Sequence, residues 1–89
     1  MPRWAMTVSA RIRDLRSALE LTQADLAERS GTLRRTEINK LETGKLKAGS
    51  YRAVSGLAKA FDLDVVICHA YLTGDLTIEQ VIRLRRGGH

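Results

Sequence analysis

An all-α fold is what this sequence predicts, and three observations predict it. Apolar residues recur at helical spacing along most of the chain, the runs open on residues that cap helices, and glycines stand where several runs must stop. Val8, Ile12, Leu15 and Leu19, spaced four, three and four apart, form one face of helix one, capped by Thr7 or Ser9. Helix two covers about 22–30. The Thr22 hydroxyl accepts from the amide near Asp25, whose carboxylate suits the positive helix start, while Leu26 and Ala27 give the buried stripe. Gly31 takes the left-handed conformation that turns the chain sharply after Ser30. Helix three covers about 34–43. Ile38 and Leu41, three apart, anchor it, so Arg35, Thr36, Asn39 and Lys40 point away from the core until Gly44 ends the helix.

A loop over 45–49 leads to Ser50, the cap of a fourth helix with Tyr51, Val54, Leu57, Ala58 and Phe61 at helical spacing. Gly56 costs that helix roughly 1 kcal/mol and permits a close approach by a neighbour. The next segment, 64–72, reads two ways. Val65, Val66 and Ile67 are successive β-branched residues, which favours a strand paired with a second copy of the chain. Asp64 as a cap, Ile67 and Tyr71 four apart and Gly74 as a stop favour a helix, the preferred reading. Thr77 and Gln80 then form a capping box for a last helix with an apolar strip of Ile78, Val81 and Ile82, running into Arg83, Arg85 and Arg86. Gly87-Gly88-His89 is expected to fray. The domains expected are an N-terminal arm over 1–7, a central domain over 8–63 and a C-terminal extension over 64–89.

With 89 residues the chain approaches the size at which one core needs help from oligomerisation. Its net charge of +5, with both signs interspersed, indicates a folded basic domain suited to an acidic partner such as nucleic acid. No apolar run approaches the ~20 residues of a spanning helix, and 1–6 lacks a signal-peptide core, so a cytoplasmic protein without a membrane partner is expected. Cys68 is the only cysteine, which rules out an intramolecular disulfide and a multi-cysteine zinc site; it reads as a buried hydrophobe. His69 has no second histidine at ligand spacing, so no metal is expected. No nucleophile motif and no phosphate-cradling glycine loop occurs, so neither an enzyme nor a cofactor is expected.

The runs Leu21-Thr22-Gln23-Ala24-Asp25-Leu26-Ala27 and Lys40-Leu41-Glu42-Thr43-Gly44-Lys45 resemble the phage-repressor type of helix-turn-helix family, often called the XRE family, and the resemblance extends over roughly 10–63. It implies a compact bundle of about five helices, binding to operator DNA, and commonly a homodimer on a near-palindromic site. By the same resemblance Gln23 sits at the start of helix two against a phosphate. Arg35, Thr36 and Asn39 match base-facing positions, and Arg16 and Glu42 match a pair that joins helix one to the end of helix three. The sequence departs from the family in its turn. One extra residue stands between Gly31 and Ile38, which leaves either Thr32 or Arg34 as the cap of helix three.

Each contact has a plain alternative. Arg35 forms a bidentate bond to guanine, contacts phosphate or is a solvated surface arginine, and Arg34, nearer the turn, is better suited to phosphate. Glu37 either accepts from cytosine N4 or, as preferred here, supports the helix start and pairs with Arg34. Asn39 either reads adenine or is an exposed polar residue. Lys40, Lys45 and Lys47 neutralise phosphates or simply face solvent. The apolar tail residues Val65, Ile67, Tyr71, Leu72, Ile78, Val81 and Ile82 exceed the evident needs of a small core and are expected to form a dimer interface.

The leading expectation is a sequence-specific DNA-binding transcriptional regulator, a homodimeric repressor on double-stranded DNA. One alternative is an antitoxin that represses its own operon and holds a toxin through the basic tail or the segment 65–68. Another is a protein-interaction module that keeps the fold and uses the groove-facing surface for a protein partner.

Overall fold

In the computed structural model, which describes residues 7–85, six helices follow one another: α1 (Val8–Ala18), α2 (Gln23–Ser30), α3 (Arg35–Thr43), α4 (Tyr51–Phe61), α5 (Val65–Leu72) and α6 (Ile78–Leu84). The arm before Thr7, Arg86 and the Gly87-Gly88-His89 end lie outside the described residues. Side-chain caps explain where five of the helices begin. Thr7 accepts from the Ala10 amide at 3.2 Å, and Ser50 from that of Ala53 at 3.1 Å. Thr22 and Asp25 satisfy each other's amides at 3.0 and 2.9 Å, and Thr77 and Gln80 repeat the arrangement at 3.1 and 2.9 Å. Asp64 accepts from Val66 at 2.9 Å, and α5 follows.

The segment that read two ways is therefore helical, despite its β-branched start. As a helix it places Cys68, Tyr71 and Leu72 on one buried face and turns Val66 outward at 75% exposure. The helices close around a single cluster in which Ile12, Leu26, Ile38, Leu57, Phe61, Cys68 and Tyr71 are almost fully buried. α2 packs chiefly on α4, and α1 on α3.

Three of the tail residues expected at a dimer interface serve the monomer's own core: Tyr71, Leu72 and Val81 are 1%, 4% and 0% exposed within one copy of the chain. Val65, Ile67, Ile78 and Ile82 are partly buried against the same cluster. The surplus of apolar residues goes largely to completing the monomer's core. Arg11 stitches this part to α1: its guanidinium donates to the carbonyls of Tyr71 and Leu76 and lies 4.4 Å from the Tyr71 ring centre.

Candidate nucleic-acid interface

The turn between α2 and α3 is built around Ser30 and Gly31. Ser30, 1% exposed, donates through Oγ to the Ala27 carbonyl at 2.8 Å and accepts from the Leu33 amide at 2.9 Å. Gly31 stands at φ 74°, the left-handed conformation its missing Cβ allows. Of the two residues left open as the cap of helix three, Arg34 takes the position, with extended backbone and no side-chain acceptor. Its amide is satisfied instead by the Glu37 carboxylate at 3.0 Å.

The turn packs against α4. Leu33 is buried over Gly56, where a Cβ would come within 2.9 Å of Leu33 Cδ1 and 3.1 Å of Thr32 Oγ1. One helical turn earlier on the same face, Arg52 grips the turn from above. It donates to both Glu37 carboxylate oxygens, at 2.8 and 3.1 Å, and to the Thr32 carbonyl at 2.8 Å. The Arg52 hydrogen bonds, with the Arg34 amide, hold the Glu37 carboxyl down at about 2. Glu37 thus has the structural role preferred above, but through the Arg34 backbone and the Arg52 side chain rather than the Arg34 guanidinium. Arg52 was missed by sequence reasoning. It lies fifteen residues from Glu37 and twenty from Thr32, and no local motif announces it.

The other end of α3 is held by the pair that the family resemblance implied. Arg16 donates to Glu42 through Nε at 2.7 Å and Nη2 at 2.9 Å, and through Nη1 to the Leu21 carbonyl at 2.9 Å. The Glu42 side chain is 3% exposed, and this hydrogen bonding raises the Arg16 guanidinium above its ordinary value. Gln23 donates to Glu42 at 3.3 Å and accepts weakly from Asn39 at 3.5 Å, so α1, α2 and α3 meet in one polar chain.

Gln23, Arg35, Thr36, Asn39, Lys40 and Lys45 line one concave surface of about 340 Å³. All but Gln23 are exposed. The fixed Gln23 forms part of its wall, while the exposed cations supply charge and Thr36 and Asn39 supply hydrogen-bonding groups. Arg34 is exposed at the start of α3 but does not line this surface. Lys47 belongs to a different groove, with Val8, Leu41, Leu46, Ala48 and Leu72 among its walls. Among the described residues no cluster of His, Cys, Asp and Glu is arranged to hold a metal ion, and no helix is long and apolar enough to cross a membrane. Cys68 is buried, and burial pushes its thiol up to about 12.

A short capped helix, a serine-glycine turn and a second helix with an exposed face of cations and amides make this a DNA-binding helix-turn-helix protein. The chain belongs to the helix-turn-helix domain family, whose model matches residues 8–66, and lies within the XRE-like superfamily of that fold. Among curated proteins and among solved structures, nothing matches it significantly.

Proposed function

We propose that the chain is a sequence-specific transcriptional regulator, a repressor, that binds a near-palindromic operator as a homodimer. The observation that carries this reading is the convergence of Gln23, Arg35, Thr36, Asn39, Lys40 and Lys45 on one surface along α3. A helix in the major groove needs base-edge donors and acceptors on its outward face and cations at its rim, and this surface has both. The candidate partner face for a second copy is the apolar one beside the 45–50 loop, where Tyr51 is 76% exposed and Val66 75%, with Val8 and Leu46 at 38% each. It adjoins the groove-facing surface through the chain neighbours Lys45 and Leu46.

Selecting bound duplexes from a random pool tests the reading directly. The expected result is a two-fold symmetric motif with half-sites about one helical turn, roughly 10 base pairs, apart. Affinity should fall steeply as salt rises, since phosphate contacts release counterions. Equal binding to every sequence would end the proposal. A motif without symmetry would end the homodimer.

A further inference from the structure

We propose that Arg52, on α4 and outside the groove-facing surface, is a positioning residue for DNA reading. This inference rests on the reading of α3 as the base-reading helix. Three observations carry it. Arg52 spans the turn and the start of α3, donating to the Thr32 carbonyl and to both Glu37 oxygens, while Glu37 in turn accepts from the Arg34 amide. No side chain caps the first-turn amides of α3, so the helix start is held by the Glu37 carboxylate on the Arg34 amide and by Arg52 on Glu37. Gly56, one turn along α4 on the same face as Arg52, lets the Leu33 and Thr32 side chains pack closely on α4 beside the Arg52 contact to the Thr32 carbonyl.

Arg52 also neutralises a carboxylate on the recognition helix. Glu37 is the acidic residue in the first turn of α3, beside Arg34 and Arg35, and unpaired it would oppose DNA phosphate. Paired with Arg52 it becomes part of the frame that aims Arg35 and Thr36. The forked guanidinium is essential to this arrangement, because its planar donors reach two carboxylate oxygens and a carbonyl at once, whereas an ammonium group is a point charge.

Arg52→Met and Arg52→Lys test the proposal by two readouts on the full chain. In the free protein, amide hydrogen exchange at Leu33 and Arg34 should speed up in both variants, while the core amides of Leu15 and Phe61 keep their protection. On DNA, binding is measured to a duplex selected by the wild type and to a random duplex, over a salt series. Both variants should lose about tenfold in the ratio of selected to random affinity, the scale of one weakened base contact, with the salt slope unchanged. Equal loss on both duplexes with a salt slope lower by about one would make Arg52 a phosphate contact and overturn the proposal. So would an Arg52→Lys protein indistinguishable from wild type, since charge alone would then suffice. A wild type that does not discriminate between the duplexes would overturn the reading of α3 itself; in that case unchanged exchange at Leu33 and Arg34 would remove the brace as well, and faster exchange would show the brace without the reading.

Discussion

Arg11 and Tyr71, sixty residues apart, hold each other by three contacts. The tyrosine hydroxyl donates to the Arg11 carbonyl at 2.6 Å, the Arg11 Nε donates to the Tyr71 carbonyl, and the guanidinium lies over the ring. The amides of Thr73, Gly74 and Asp75 satisfy the last carbonyls of α5, and the Arg11 guanidinium on α1 adds a second donor and a favourable positive charge at that helix end. Tyr71→Phe removes one hydrogen bond and should destabilise by about 1–2 kcal/mol. Arg11→Ala also removes the stacked cation and the donor to the carbonyls of Tyr71 and Leu76, of which the first keeps the Gly74 amide at 3.1 Å, and should cost more, about 2–3 kcal/mol. Urea unfolding checks both. A tail that does not need α1 would leave both midpoints where they were.

The pair at the other end of α1 differs in kind, because one member is buried. Arg16→Ala leaves the Glu42 carboxylate, 3% exposed, with only the Gln23 amide as partner, and a stranded buried charge costs about 3–5 kcal/mol. The double variant Arg16→Met, Glu42→Leu removes the charge with its partner and should recover much of that loss. Thermal unfolding of the three proteins separates the cost of stranding Glu42 from the net value of the pair. Equal losses in the single and double variants would show that the pair itself stabilises the fold.

Gly56→Ala sets two effects against each other. Alanine favours a helix over glycine by about 1 kcal/mol, but its Cβ would stand 2.9 Å from Leu33 Cδ1, and Leu33 is only 3% exposed. Overpacking a filled site costs about 1–3 kcal/mol, so net destabilisation is expected, together with faster amide exchange in the turn. A variant more stable than wild type would mean that the turn can shift away from α4 without loss.

These relationships mark how far the sequence reaches. The caps were legible because a cap and its amide lie two or three residues apart: Thr22 with Asp25, Ser50 with Ala53 and Thr77 with Gln80 all form as their spacing predicts. The Arg16–Glu42 bridge was legible only through the family resemblance. Arg52 with Glu37 and Arg11 with Tyr71 had neither route, since tertiary packing alone brings them together. The place of Tyr71 and Leu72 was not legible for a further reason. α5 is apolar nearly all round, so periodicity could not say which face turns inward, and Tyr71 and Leu72 were counted as surplus when they fill the core.

Acid should destabilise the fold through Glu37 and Asp25. Glu37 titrates at about 2 in the folded chain against an ordinary 4.5, first through the Arg52 hydrogen bonds and then through the Arg34 amide. Asp25 is shifted the same way by the Thr22 amide and hydroxyl. A carboxyl depressed in the folded state contributes stability that is fully present above its unfolded value and is lost as pH falls through its folded one. For Glu37 that window runs from 4.5 down to about 2. The urea midpoint should decline across it, and Glu37→Gln should flatten the decline. If that variant follows the wild-type curve, the Arg52–Glu37 pair contributes nothing to folding.

The two kinds of DNA contact proposed for α3 and its following loop leave different signatures. Arg35 and Asn39 are exposed on the concave surface, so truncating either to alanine should relax discrimination at one position of the selected motif by about 1–3 kcal/mol. Lys45→Ala should weaken selected and random duplexes alike and lower the salt slope by about one for each copy of the chain bound. Lys47 lines another groove, and Lys47→Ala should leave both the motif and the slope unchanged. Competition binding at several salt concentrations distinguishes these outcomes, and Asn39 is the most exacting case because Gln23 already engages its amide at 3.5 Å. That contact is long and weak, so Asn39 can exchange it for a base edge, whereas Gln23 stays held by Glu42. Gln23→Ala should therefore weaken binding to all sequences, and Asn39→Ala binding to the selected one. The reverse pattern would make Gln23 the base reader and Asn39 its support.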